Sequence, residues 1–432
     1  MSSRRQFLGT LGAGVLAPGV VTAGQAPAPA SPPAAAVDPG TSPDWAAVAA
    51  QFDVDPKQLF FNCGTLGTCP RPVRERVIET LKQLDSLPTF EYWARCMPRV
   101  FGAQKKAAAL IGAPEPSSVT FTHSTTEGVN VVARGLDWKP GDEVVMTTHE
   151  HPGGDSIFKR LEQTHGIRIR RYAMPFAPPS DEEILAGIEG LITPRTRMLM
   201  VSHVVYTNGL LLPVGALGKL AQRRGLYFLV DGAHPLGQMP IDVQAMDCDF
   251  YAASGHKWLC APRGTGLLYV RPSLLERLEP LFVSYDYGHI PKDARAFHAG
   301  AMRLNFTWTN NIHDWMGLET AIDFHQALGP ARVRERCLSL TRRFERGLRD
   351  VPNVEPLGVA APRDTPMLTF KVHGRSNTEA FRALKGLGIT VKEVADAELP
   401  EPINALRVAT HVFNTEEQVD RLLEGLRLVM SA

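Results

Sequence analysis

One lysine stands in the turn-like stretch Ser254-Gly-His-Lys257, and one acid, Asp231, closes the apolar run Leu226-Tyr-Phe-Leu-Val230 about 26 residues upstream. A lysine amine can hold an aldehyde as a Schiff base. A carboxylate facing a pyridine nitrogen keeps that nitrogen protonated, so the ring can serve as an electron sink. The pair therefore points to pyridoxal 5'-phosphate (PLP), with Lys257 as the anchor and Asp231 as the partner of the ring nitrogen. The run before Asp231 is short, aromatic and branched, as a buried strand requires, and ligands of open α/β sheets gather at the carboxyl ends of strands. Ser254 and His256 flank a glycine, and a hydroxyl, an imidazole and free backbone N–H groups make a cradle for the cofactor phosphate. A Ser-Gly-His-Lys tetrapeptide alone carries little information; the strand-terminal acid ahead of it gives it meaning.

A second segment has matching chemistry. Phe121-Thr-His-Ser-Thr-Thr-Glu-Gly-Val-Asn130 follows the strand-like Ser118-Val-Thr-Phe-Thr122 and precedes an apolar helical pattern. Thr125 and Thr126 then fall at a helix start, where small hydroxyl residues and free N–H groups bind phosphate. A third, Thr148-His-Glu-His151, follows the strand-like Glu143-Val-Val-Met146.

With these segments in this order, the chain from about Phe60 to its C-terminus resembles the fold-type I PLP enzymes of the class V aminotransferase group, and within it the isopenicillin N epimerase-like subgroup. By that resemblance residues 121–130 look like the family's Thr-Thr-Glu phosphate loop. His151 lies flat on the pyridine ring, and His149 is a loop histidine. His234 falls next to the cofactor's phenolic oxygen, where desulfurases have glutamine. Ser202, His203 and Tyr206, at the end of the strand-like Leu199-Met-Val-Ser-His-Val-Val-Tyr206, approach the site. Tyr206 stands where desulfurases show asparagine, which leaves its role open.

The resemblance extends further along the chain. Phe306-Thr-Trp-Thr-Asn-Asn311 looks like the loop one subunit offers to its partner's phosphate, with Thr309 the bridging hydroxyl. It implies a homodimer with shared active sites. Ala405-Leu-Arg-Val-Ala-Thr-His-Val-Phe-Asn-Thr415 resembles the strand whose arginine, here Arg407, clamps a substrate α-carboxylate. A planar guanidinium can give that carboxylate two parallel hydrogen bonds. Phe60-Phe-Asn-Cys-Gly-Thr-Leu-Gly67 resembles the N-terminal motif of epimerase-like proteins, making Asn62 a substrate-binding candidate beside Tyr206 and Arg407.

The implied activity is that of a PLP-dependent, epimerase-like enzyme acting on an amino acid or an amino-acid-bearing secondary metabolite. Modification of a peptide siderophore's glutamate is the runner-up, followed by aminotransferase or C–S lyase chemistry. Outside catalysis, an inactive PLP-fold binding protein is the alternative, against which the intact Lys257 and Asp231 weigh. Desulfurases need a cysteine nucleophile shortly before the arginine strand, and Lys385 to Leu406 contains none.

The elements that must position these residues can be read in outline. Strand-like and helix-like segments alternate from about 115 to 275, as a mostly parallel sheet with helices on both faces requires. Helical periodicity at about 312–350 precedes strand-like Met367–Val372, a helix near 377–387, strand-like Ile389–Val394 and a last helix from about 415. The expected fold is α/β: a large PLP-binding domain over 44–330, its mostly parallel sheet seven-stranded by the family resemblance, and a small α+β C-terminal domain over 331–432. With 46 Lys and Arg against 45 Asp and Glu, a net charge of +1 and no long basic run, nothing suggests a nucleic-acid partner.

At the N-terminus, Ser3-Arg-Arg-Gln-Phe-Leu8, an apolar stretch to about Val21 and the small-residue site Val21-Thr-Ala23 match a twin-arginine (Tat) signal over 1–23. Export through the Tat machinery to the periplasm is expected, which would let PLP load in the cytosol before transport. Residues 24–43, mostly Ala, Pro, Gly and Ser, read as a disordered linker. The six cysteines form no metal-ligand pattern. Cys63 and Cys69 lie close enough in sequence to bridge in an oxidising compartment, but a core of this size needs no disulfide, so all six are expected free or structural.

Overall fold

A computed structural model of the chain describes residues 43–283, 300–307, 309–358, 364–396 and 403–431. The expected signal and nearly all of the linker, as well as Trp308, lie outside these residues.

After a two-residue strand, β1 (Leu59–Phe60), the large sheet is built from β2 (Val119–Thr122), β3 (Glu143–Thr147), β4 (Arg168–Tyr172), β5 (Thr196–Ser202), β6 (Tyr227–Asp231), β7 (Phe250–Ser254) and β8 (Gly266–Val270). Its order is β2-β8-β7-β6-β5-β3-β4. Only β8 runs antiparallel to its neighbours; the pairs from β7 through β4 are parallel. The mostly parallel seven-stranded sheet is therefore as expected.

The central strands are apolar throughout because both faces are covered. Val145, Leu199, Val201, Phe228 and Val230 pack with Val100, Leu217 and Met316 on one side. Their neighbours Val144, Met146, Met198, Met200 and Leu229 pack with Val129, Phe158 and Leu161 on the other. Period-2 alternation thus feeds two helical layers rather than one core and water. The carboxyl ends of β3, β5, β6 and β7 then come out along one edge, and they carry Thr147, Ser202, Asp231 and Ser254.

A second sheet follows the helices Ile312–Leu328 and Pro330–Leu348. It comprises β9 (Val354–Leu357), β10 (Met367–Val372), β12 (Lys392–Asp396) and β13 (Ile403–Ala409), with β11 (Ile389–Thr390) between β10 and β12 in sequence. The order β12-β13-β10-β9 is antiparallel throughout. The strand expected over 389–394 is split. Thr390 pairs with Phe60 of β1, and from Lys392 onward the chain pairs with β13 instead. The apolar alternation of Ile389 and Val391 shifts phase before Val394, with Lys392 and Glu393 side by side, so the break coincides with the change of partner. Leu59 and Phe61 pack with Phe344, Leu384, Leu406 and Leu422, which joins the N-terminal segment to the C-terminal core.

A second departure concerns the run expected to be strand through Tyr206. Pairing ends at Ser202, and the chain turns back at Gly209, whose φ of +79° suits only glycine there. Tyr206 is therefore carried by a turn. Beyond β1, Gly67 donates its N–H to the carbonyl of His256 at 2.8 Å. A Cβ on Gly67 would lie 2.1 Å from the Lys257 carbonyl oxygen, so only glycine allows the N-terminal segment to run against the lysine turn.

Candidate active site

A cavity of about 450 Å³ opens at the carboxyl ends of the parallel strands. Thr125, Thr126, His151 and Tyr206 line it, and so do Asp231, Ser254, His256, Lys257 and Arg407. Nine of the residues singled out from sequence thus meet at one place.

One end is made for an oxyanion. Ser124 caps the helix Thr125–Gly135 by accepting from the N–H of Glu127 at 3.3 Å. Of the amides in this first turn, that of Thr126, which lines the cavity, has no partner among the described residues. The Thr125 N–H donates to Ser254 Oγ at 3.1 Å, and the two hydroxyls lie 2.8 Å apart. His256 Nδ1 contacts the carbonyl of Thr265 at 3.2 Å, which orients its ring.

Asp231 is buried at the end of β6. Its Oδ1 accepts from the Ala233 N–H at 2.9 Å, and Oδ2 has no hydrogen-bond partner among the described residues. Burial raises its pKa, against the pull of that N–H and of Lys257. Lys257 is lowered to about 8, first by burial; Asp231 opposes the shift and Arg407 adds to it. A buried amine near its neutral point is the state a nucleophilic lysine needs.

His151 precedes the helix Pro152–His165 and caps it, its Nδ1 accepting from the Gly153 N–H at 3.0 Å. That bond puts the ring proton on Nε2. The ring faces the open cleft, but the protein crowded around it, and then the charges of Lys257, Arg407 and Lys392, lower its pKa to about 4. Tyr206 meets it edge to face, with centroids 5.1 Å apart.

Arg407, on β13, is 2 % exposed. It donates to the Tyr206 carbonyl and, at 3.4 Å, to Thr65 Oγ1. Its Nε is buried without a partner, and no carboxylate lies within ion-pair distance among the described residues. Burial lowers its pKa to about 10. A guanidinium so placed is costly unless an anion completes it.

The remaining three candidates do not line the cavity. His234 is buried just behind it, accepting from Trp258 Nε1–H at Nδ1 (3.1 Å), with its pKa driven down by burial and then by Lys257. Asn62 lies in a neighbouring cleft and accepts from the hydroxyl of Thr65 at 2.8 Å; it is Thr65 that reaches the cavity. Thr309 is exposed and away from its own chain's cavity. Two other histidines are structural: His149 bonds Thr207 and the Met174 carbonyl, and His203 bonds the Tyr251 hydroxyl.

Several residues went unnoticed in the sequence. Gly64, Thr65 and Lys392 line the cavity, and Lys392 stands directly opposite Arg407 across the β12–β13 pair. Glu150 sat between the two histidines of its motif. It is buried, accepting from the hydroxyls of Thr147 and Ser202 at 2.6 Å each. Burial, with Asp231 adding, raises it to about 7 despite those two donors. The available signal was an acid just after a buried strand, with a threonine three residues before it.

The family described as aminotransferase class-V matches residues 67–422. Isopenicillin N epimerase of Streptomyces clavuligerus is 34 % identical over 393 residues, covering 89 % of this chain and 98 % of that protein. A cysteine desulfurase of Serratia proteamaculans is 30 % identical, covering 76 % of this chain and 81 % of that protein. Among solved structures, a C-DES mutant with glycine covalently linked to the PLP cofactor is similar with a TM-score of 0.79 at 25 % identity, covering 88 % of this chain and 98 % of that one.

The raised pKa of Glu150 has a measurable consequence. The folded protein holds a proton on Glu150 up to about pH 7, while the unfolded chain releases it near the ordinary glutamate value. Between those points the folded state binds more protons, so this contribution to stability is lost as pH rises. Glu150→Gln should remove the loss. Urea unfolding of both proteins from pH 4.5 to 7.5 should give a difference curve that climbs in favour of the variant by roughly 2–3 kcal/mol. A flat difference would mean that Glu150 is not the buried acid described.

Proposed function

Because the chain belongs to the class-V aminotransferase family of PLP-dependent enzymes, we propose that it works at the Cα of an amino acid, or of an amino-acid unit in a secondary metabolite, in an epimerase-like reaction. Arg407 carries this reading, a buried guanidinium with an unpartnered Nε beside an amine lowered to about 8. A carboxylate and an adjacent reacting carbon fit that pair. The 34 % identity to an isopenicillin N epimerase, over almost the whole of both chains, supports the kind of reaction.

PLP, when bound, supplies an electron sink for the pair left at Cα when a bond breaks there. The chain supplies the rest. Lys257 would hold the cofactor covalently and, as a free amine, would be the base for the Cα proton. Asp231 Oδ2 holds the proton on the ring nitrogen. Thr125, Thr126, Ser254 and His256 would receive the phosphate, His151 would cover the ring, and His234, its Nδ1 engaged by Trp258, would offer Nε2–H to the phenolic oxygen. Arg407 orients the substrate through its carboxylate. Tyr206 fixes both the Arg407 head and the His151 ring, and Asn62 acts through Thr65.

A C–S lyase reading is the second candidate, supported by likeness to a solved complex of the cystine C-S lyase C-DES with cysteine persulfide (TM-score 0.78, 25 % identity). In deuterium oxide, an epimerase-like reaction on isopenicillin N or a panel of L-amino acids should place deuterium at Cα and invert it, without keto-acid or sulfide release. Arg407→Ala should lower kcat/KM roughly a hundredfold or more, and borohydride should fix the cofactor on Lys257. Keto acid with sulfide release would decide for the lyase, and labelling elsewhere than Lys257 would overturn both readings.

The sharing of active sites in a homodimer is part of the proposal. Thr309, exposed in its own chain, is suited to reach a partner's phosphate. Mixed dimers of inactive Lys257→Ala and inactive Thr309→Ala chains hold one site with both groups, so activity should partly return; heterodimers without activity would refute sharing. The Tat reading is likewise proposed. Replacing Arg4 and Arg5 by lysine should leave PLP-loaded protein in the cytoplasm, and normal export of that variant would contradict it.

A further inference from the structure

Against the lysine turn, outside the cavity lining, lie three groups that the proposed reaction does not use. Among the described residues, Cys63 Sγ, Cys260 Sγ and a ring nitrogen of His411 lie within 4.8 Å of one another, all buried. They are 197 and 151 residues apart in sequence, so no spacing pattern could have announced them. Both sulfurs rest against a single atom, the carbonyl oxygen of Lys257, at 3.5 Å from Cys63 and 3.6 Å from Cys260.

Two details mark the cluster as more than core filling. Cys260 holds φ at +56°. The other non-glycine residues with positive φ in the described chain are Asp247 and Asn353, types whose short polar side chains tolerate that region; cysteine does not share this ease. A cysteine thus occupies a backbone position that glycine would adopt with less strain. His411 is also held in place: its Nε2 lies 2.9 Å from the Trp258 carbonyl, against the same turn.

A metal site is the first reading of two thiols and an imidazole, and the geometry argues against it. Cys260 Sγ lies 4.0 Å from Nδ1 and 3.8 Å from Nε2 of His411. Near-equal distances put the sulfur off the lone-pair axis of either nitrogen, whereas a metal needs one nitrogen aimed at it. Nε2 is already committed to Trp258. The arrangement instead suits a reactive thiol beside an imidazole. Burial pushes the Cys260 thiol up, but the Cys63 thiol and then His411 bring it down to about 5. Cys63 is raised, by burial and then by Cys260. The two shifts run in opposite directions, toward the thiolate at Cys260 and the thiol at Cys63, which is the division that attack and resolution require.

We propose that Cys63 and Cys260 form a dithiol that a small peroxide closes to a disulfide, and that closure acts on the cofactor lysine through the carbonyl both sulfurs touch. The Cys260 thiolate attacks a peroxide oxygen of hydrogen peroxide, the O–O bond breaks, and the departing hydroxide takes a proton to become water. Cys63 sulfur then attacks the resulting sulfenic sulfur and expels a second hydroxide, which leaves with the Cys63 proton as water. Two thiols lose two electrons and peroxide gains them. The sulfurs must close by about 2–3 Å, within reach of side-chain rotation and small backbone adjustment. The bond would staple the turn at 62–65 to the Lys257 turn. That first turn supplies Thr65 to the cavity, and a Cβ on its Gly64 would stand 3.1 Å from an Arg407 nitrogen. Closure therefore touches the lysine side and the carboxylate side of the site together.

The test uses reduced, full-length, PLP-loaded protein and hydrogen peroxide in small excess. After denaturation and alkylation, two of the six thiols should be lost. Peptide mapping should find one cross-link, Cys63 to Cys260, that dithiothreitol removes. Cys63→Ser and Cys260→Ser should each abolish it and Cys69→Ser should not; the two separate variants keep the test valid if one folds poorly. The cofactor absorbance should shift on oxidation and return on reduction. All six thiols still alkylated, or a cross-link to Cys69 instead, overturns the proposal. So does stoichiometric zinc uptake that is lost in Cys63→Ser, which would make the cluster a metal site. A Cys63–Cys260 bond that leaves the absorbance unmoved overturns the coupling to Lys257.

Discussion

A lysine amine that must react as a nucleophile cannot stay fully protonated, and whatever charge it keeps when buried needs an acid nearby. The fold meets both demands by placing Asp231 at the end of one strand and Lys257 three residues beyond the end of its parallel neighbour. Adjacent strands lie a fixed distance apart, about 4.8 Å, so the sheet itself sets the spacing of the two groups. Burial lowers Lys257 to about 8, where Asp231 restrains the fall and Arg407 deepens it. Burial also lifts Asp231, against the Ala233 N–H and Lys257. Each group therefore helps to set the protonation of the other, and the apolar layers on both faces of the sheet keep water from weakening the coupling.

The rest of the cavity adds positive charge. Arg407 arrives from the second sheet, and Lys392 stands opposite it across an antiparallel pair. Like charges facing one another across strands are destabilising, and nothing anionic among the described residues pairs with Arg407. With Lys257, Arg407 and Lys392 set against Asp231 and Glu393, the lining still carries one more basic group than acidic ones. An anionic phosphate and a substrate carboxylate are the groups that would balance it. The N-terminal segment closes the arrangement by pairing β1 with β11 and by resting Gly67 on the lysine turn.

What was legible in the sequence was what is local. The apolar run into Asp231, the Ser-Gly-His-Lys turn and the Thr-Thr helix start each sit on a single strand–loop step, and the structure brings all three to one cavity. Arg407 was legible only as part of a motif, because its isolation from any carboxylate is a property of the folded chain. Lys392 was missed since its significance depends on β13 lying opposite; the slip in apolar alternation between Val391 and Val394 is the one trace of the break that frees β12. Glu150 was hidden between two histidines that drew attention to themselves. Tyr206 was read at a strand end; pairing stops four residues earlier, at Ser202, where the chain turns for Gly209. The cluster of Cys63, Cys260 and His411 is assembled from three distant segments and could not be read from one of them.

The most direct measurement is the protonation of the cofactor ring nitrogen in the loaded protein, followed by NMR with PLP labelled with nitrogen-15 at that position. If the Asp231 carboxylate faces that nitrogen in the buried cleft, the resonance should sit at the protonated position in the parent protein across neutral pH and move to the unprotonated position in Asp231→Asn, with PLP still on Lys257. The same unprotonated signal in both proteins would contradict the pairing on which this description of the site depends.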